Sequence, residues 1–395
     1  MSFLRAARAA LAGQTLFRRM LVAPTVFVVV ALAGFSLSCG STPSTVANHS
    51  AYVTLPSRGN VLLLEINSTT GVISLGAATP STEGTTPTGV ALSSSRKFLY
   101  AVNSYQDTIS TFNVHSDGTL TLSSTSTPAG PSPNMALVDP SGNYLLVANS
   151  SNSNGSISVF AIDAGSGALT EVAGSPFSAN ASPNEIRFTH SGQFVYVSNP
   201  GIGMVTGFSF SSGVLTPIPG SPFSSGSTGG AFGLAVDASD RFLYVANPSA
   251  VNLPPYQATV GNISGFNIDS STGALSPSQG SPFTATNGAG PTELAVDPSG
   301  RFLYAVTPGS GSSVWCFTIT PTNGQLVAVV GSPFSLAGGS LFALFDPVGN
   351  YFYIGSETPA GIQAYTYDSL TGAPKQISGS PFSTLVAPGK MVLSE

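Results

Sequence analysis

Charge is what this 395-residue chain lacks most. Asp, Glu, Lys and Arg make up 7% of it, against about a quarter of an ordinary soluble domain. Histidine is scarce too, with three residues, as are cysteine, with two, and tryptophan, with one. Each shortage excludes something. Four of the twelve basic residues (Arg5, Arg8, Arg18, Arg19) lie in the first 19 positions, which leaves eight against seventeen acids and a balance of −9. Nucleic acid is bound through clustered Lys and Arg, so it is not an expected partner. Two cysteines give no disulfide framework. Cys316, in "SVWCF", reads as a small buried apolar residue. A catalytic thiol would want a nearby base, and only His49, His115 and His190 are on offer. No H-E-x-x-H, G-x-x-x-x-G-K-[ST], C-x-x-C or G-x-S-x-G occurs. The recurring turn aspartates lack D-x-D-x-D spacing, so neither a metal nor a cofactor is expected.

What is present is apolar and rich in turns. Hydrophobic residues reach 42%, with 44 glycines and 30 prolines. Disorder needs low hydrophobicity and high charge, the opposite of this balance. The composition points to an all-β protein of short strands whose faces are mostly buried on both sides.

The first 19 residues are basic without an acid, and "MLVAPTVFVVVALAGFSLSC" (20–39) is an apolar run. The next charge is Arg58. This is the layout of an export signal. We expect a signal over 1–38, a lipidated Cys39 opening a tether over 39–49, and a folded domain over 50–395. A lipobox usually has Leu three places before its Cys. Here that place holds Ser36, with Leu37 next to it, so simple cleavage or an uncleaved anchor competes with lipidation. Either way the protein is expected outside the cytoplasm, in the periplasm or cell envelope. A lipid anchor would then be its only membrane contact, and the folded part is expected to be a monomer.

From residue 87 onward the chain repeats. "PTELAVDPSGRFLYAVT" (291–307) has counterparts at 87–103, 133–149, 183–199, 232–247 and 341–356. The residues ending these units, Asn103, Asn149, Asn199, Asn247, Thr307 and Ser356, lie 46, 50, 48, 60 and 49 apart. Four short β segments in a period near 50 are the mark of a propeller blade. An inner segment "LAVD" leads through the "DPSG" turn, with Asp139, Asp237, Asp297 and Asp346 as caps. A second segment "RFLYVAN" follows, apolar on both faces, and its terminal Asn is expected to close it by an Asx turn. Two further segments complete the unit. Six units run from 87 to 382. The remainders, "KMVLSE" (390–395) and 51–76, supply the inner and the three outer segments of a seventh. The expected fold is thus a seven-bladed propeller of four-stranded blades, closed by pairing the C-terminal strand with the N-terminal three. The tetrapeptide "GSPF" occurs at Gly174, Gly220, Gly280, Gly331 and Gly379. It reads as the exit from each blade, with Phe wedged against the next blade.

"AYVT" (51–54), "VYVSN" (195–199) and "LYVAN" (243–247) resemble YVTN-type β-propeller repeats. The whole unit, with its "DPSGRFLYAV", resembles the lactonase-type, 6-phosphogluconolactonase-like, seven-bladed propellers. The resemblance spans about residues 50–395 and implies that fold, with lactone-ring hydrolysis as an activity. The enzymes of that family carry G-P-R-H at the start of an inner strand, with a Glu after the next Y-V-x-N. In "SPNEIRFTHSGQFVYVSNP", Glu185 stands where that His would be and Pro200 follows Asn199. His190 lies in the turn instead.

The starts of the seven inner strands should ring the central channel. The equivalent positions are Gly89, Met135, Glu185, Gly233, Glu293, Phe342 and Lys390. Three charges on one ring, with Arg187 two residues past Glu185, stand out in so uncharged a chain. Glu185, Glu293, Arg187 and Lys390 are the catalytic candidates, able to act as acid and base or to hold a polar ligand. Glu185, Glu293 and Lys390, with Tyr256 from the insertion 248–261, are the ligand-binding candidates. Three functions remain open: binding of a small ligand or protein partner at the channel mouth, lactone hydrolysis, and a structural envelope role. Arg96, Lys97, Arg241 and Arg301, after the inner turns, read as a solvated fringe on the opposite face.

Overall fold

The computed structural model describes residues 48–77, 80–82, 86–151, 154–226, 230–248, 261–284, 290–308, 311–347 and 351–394. The proposed signal, Cys39 and most of the tether lie outside these residues. So does nearly all of the insertion with Tyr256.

Seven antiparallel sheets follow one another along the chain, and each is one blade. Blades 1 to 6 begin with inner strands Pro87–Leu92, Pro133–Val138, Ile186–Phe188, Leu234–Val236, Glu293–Val296 and Ser340–Phe345. Blade 7 takes His49–Leu55, Asn60–Ile66 and Ile73–Leu75 from one end of the domain and Met391–Leu393 from the other. The closing strand pairs Ala51 with Leu393, Tyr52 with Val392 and Val53 with Met391.

Seven clusters of buried apolar side chains occur among the described residues, one at each contact between successive blades. This is why the second strand of five blades, such as Phe242–Asn247, is buried along its whole length, and that of the other two along most of it. Both of its faces pack on a neighbour, so it carries no polar alternation.

Hydrogen bonds between blades explain two of the repeated motifs. Tyr52, Tyr100, Tyr196, Tyr244 and Tyr304 are fully buried in these second strands. Each donates its hydroxyl to a glycine carbonyl in the outer hairpin of the following blade, at Gly118, Gly167, Gly273, Gly324 and Gly372, over 2.5–3.1 Å. Those glycines have φ between 70° and 80°, a region that favours glycine over any residue with a Cβ. At Gly273 and Gly324, a Cβ would also meet the Phe194 and Phe242 rings at 2.5 Å. The "FLY" of one blade and the "TG" or "NG" turn of the next are therefore two halves of one joint.

Two expectations need correction. The Asn that ends the second strand makes no Asx turn. Asn103, Asn149, Asn199 and Asn247 are wholly buried and donate Nδ2 to Ser, Thr or Asn side chains of their own blade's third strand, at 2.8–3.2 Å. They tie strand to strand, because a buried amide cannot leave its donors unpaired. "GSPF" is likewise not the blade's exit. It interrupts the outer strand, and the chain resumes pairing with the third strand at Phe177, Phe223, Phe283, Phe334 and Phe382. Across the interruption the motif's serine accepts the third-strand amide left without an outer-strand carbonyl, at 2.9–3.0 Å in all five blades. Its glycine takes φ 82–90° and its Ser–Pro bond is cis. The wedge role of the phenylalanine stands. Each one packs in the cluster shared by its own blade and the next.

Candidate functional site

The inner strands bring the four charged candidates to one cavity of about 600 Å³ at the channel mouth. Glu185 and Arg187 come from blade 3, Glu293 from blade 5 and Lys390 from the closing strand of blade 7. Met135 and Phe342 line the same cavity without filling it. Gly233, the ring residue of blade 4, has a packing role. A Cβ there would lie 2.7 Å from the Thr292 carbonyl oxygen and 2.9 Å from the Glu293 Cα. Only a glycine lets blade 5 approach closely enough to set Glu293 beside the Glu185–Arg187 pair.

Glu185 and Arg187 form an ion pair and grip the neighbouring blade together. The Glu185 Oε2 accepts the Leu234 amide at 2.9 Å, and the Arg187 Nε donates to the Leu234 carbonyl at 3.2 Å. Leu234 lies on an inner strand with one free edge, so the pair satisfies backbone groups that the sheet leaves open. Ser198 Oγ accepts the Glu185 amide at 3.0 Å and fixes the strand start.

Lys390 reaches across the Phe342 blade to Glu293, with Nζ 2.8 Å from Oε1. Its main chain is clamped by Thr54. The Thr54 amide donates to the Lys390 carbonyl at 3.0 Å, and the Lys390 amide donates to Thr54 Oγ1 at 2.9 Å. The two ion pairs cancel in charge, but they present themselves unequally. The side chains of Arg187 and Lys390 are 33% and 34% exposed, whereas those of Glu185 and Glu293 are 3% and 11% exposed. All four side chains line the cavity, and the two cations are the more exposed members of their pairs.

Burial lifts the Glu185 carboxyl above the ordinary glutamate range. Arg187 and Lys390 pull it down, and the Glu293 charge pushes it up. For Lys390, burial opposes the ammonium, but the carboxylates of Glu293 and Glu185 outweigh it and raise its pKa. The four groups thus sense one another as one cluster.

The remaining sequence candidates fall elsewhere. His190 sits in the inner turn of blade 3, at the other end of the strand from the ring. There Asp240 accepts its Nδ1 at 2.8 Å, with the His190 and Ser191 amides at 2.6 and 2.8 Å. His49 pairs with Asp346 at 2.9 Å. Cys316 is buried, and burial pushes its thiol up to about 12, which suits a core residue and not a nucleophile. Arg241 and Arg301 lie over the Phe242 and Phe302 rings, 5.1 Å from each centroid. Sequence reading missed the hold on Leu234. Its one signal was an Arg two places past a Glu on an inner strand.

A sequence model of the family "Lactonase, 7-bladed beta-propeller" matches residues 44–178 and 214–334. No curated protein sequence matches the chain significantly. Among solved structures, a candidate 6-phosphogluconolactonase of Bacteroides fragilis is 20% identical with a TM-score of 0.71, covering 89% of this chain and all of that one. A Bacteroides uniformis protein described in the same way is 19% identical with a TM-score of 0.71, over 88% of this chain and 99% of that one. The periplasmic gluconolactonase of Pseudomonas aeruginosa is 16% identical with a TM-score of 0.67, over 88% and 99%. At these identities the likeness is one of fold.

Proposed function

This chain belongs to the seven-bladed β-propeller lactonase family, and from that premise we propose that its channel mouth binds a small ligand by an anionic or carbonyl end. The observation that carries this is the unequal exposure of the two ion pairs, each cation being about a third exposed and each carboxylate nearly buried in the wall of one cavity. Held in place by their partners, Arg187 and Lys390 meet an incoming carboxylate without having to be ordered first. Replacing either by Met should weaken carboxylate binding at least tenfold in calorimetric titration. Undiminished binding in both variants would remove the site from consideration.

A second reading is turnover of a lactone, which the family and the names of the structural neighbours favour. Water would attack the lactone carbonyl carbon, and the developing oxyanion would lie against Arg187 and Lys390. Glu293, whose Oε1 is engaged by Lys390, has Oε2 to take the water proton. The ring C–O bond then breaks, Glu293 returns its proton to the leaving alkoxide, and the new carboxyl group ionises beside the cations. Glu293→Gln should abolish turnover and keep product binding. Turnover unchanged by that substitution would exclude this route.

We also infer export with attachment through Cys39, on the strength of the basic, apolar and Cys39 order of the first 39 residues. Cys39→Ser should move the protein from the membrane to the soluble fraction, and persistent attachment would count against lipidation.

A further inference from the structure

Below the charged ring the channel is walled by apolar side chains, and this bears on what kind of ligand fits, given the binding reading above. Two residues past the ring, six blades carry Ala91, Leu137, Ala235, Ala295, Leu344 and Val392, and only blade 3 carries a charge, Arg187. Arg187, Leu344, Phe345 and Pro347 line both the charged cavity and a second one of about 360 Å³ between blades 3 and 6. Arg187 therefore stands between the charged ring and a compartment with few charges of its own. Ionisable side chains are few in the second compartment. Besides Arg187, it meets His190, engaged by Asp240, and Asp297, whose oxygens already accept the turn amides of Ser299, Arg301 and Phe302. A polyhydroxylated sugar ring would find few side-chain partners along this wall, and each hydroxyl buried without one lowers affinity. An alkyl chain would find what it needs.

We propose that the ligand is an amphiphile, with a carboxylate or lactone head at Arg187 and Lys390 and an alkyl tail in the second cavity. The test is calorimetric titration of the wild-type protein with straight-chain carboxylates from acetate to octanoate, below their aggregation concentrations, with gluconate as the polyhydroxylated counterpart. Affinity should rise about fourfold for each methylene buried, and gluconate should bind no better than acetate. Ala235→Phe and Ala295→Leu, which fill the second cavity from two blades, should flatten the chain-length dependence and leave acetate binding unchanged. The wild-type series decides the matter even if either variant folds poorly. A flat series, or gluconate binding more tightly than octanoate, overturns the tail and leaves the anionic head in place. Failure of every carboxylate to bind overturns both.

Discussion

The buried tyrosines show how one residue type can set the order of the blades. Each links its blade to the next by one hydroxyl, so Tyr244→Phe should cost about 1 kcal/mol, and Tyr244→Ala about 3–5 kcal/mol through the cavity it leaves. Urea unfolding measures both. These residues also give the protein an alkaline limit. Burial raises the phenol of Tyr52 to about 12 and pushes those of Tyr100, Tyr196, Tyr244 and Tyr304 higher still, as it does that of Tyr353, which is buried at the equivalent place in blade 6 without such a link. Their folded values lie above the ordinary tyrosine value of about 10, so the unfolded chain releases its protons first. The stability they contribute is complete below about pH 10 and falls as the pH rises beyond it. In an alkaline titration, most tyrosinate absorbance should appear together with unfolding; full ionisation in a still-folded protein would contradict the burial. The tyrosines were legible in the sequence as apolar strand residues. Their partners were not, because the acceptor is a backbone carbonyl 66–80 residues further along the chain.

At the scale of the element, "GSPF" is a splice in the outer strand, and its serine is the functional part. Ser281→Ala strips the acceptor from the Gly265 amide and should cost about 1–3 kcal/mol. The same change at Ser276, which pairs through its backbone in an exposed outer strand, should stay within about 0.5 kcal/mol. Thermal unfolding of the two variants separates the roles, and equal effects would mean the serine hydroxyl contributes nothing. The repeat period, the blade count and the position of every inner strand could be read from the sequence because turn residues and strand period are local signals. The strand–splice–strand form of the outer element could not. Two-residue strands such as Phe283–Thr284 are too short to show a period, and what keeps them in the sheet is a side-chain acceptor.

At the scale of the whole molecule, closure and site share a residue. Met391–Leu393 completes blade 7, and Lys390 immediately before it carries one of the two cations. Removing residues 391–395 should expose the edge of His49–Leu55, lower stability by more than about 4 kcal/mol and promote association. Unfolding and gel filtration would show both, and a truncated chain of native stability would mean that the ring does not depend on this closure. The charged ring itself was legible once the blades were aligned, since equivalent positions in a propeller are equivalent in space. Its polarity was not legible. Two acids and two bases this close together read as neutral, and only their unequal exposure offers the cavity more cation than carboxylate. The most direct test of that claim is calorimetric titration of the wild-type protein and the Arg187→Met/Lys390→Met double variant with a carboxylate such as hexanoate, at low and high salt. The wild type should bind, more weakly as salt rises, and the double variant should lose at least a hundredfold. Equal affinity in the two proteins, at either salt concentration, would contradict the account.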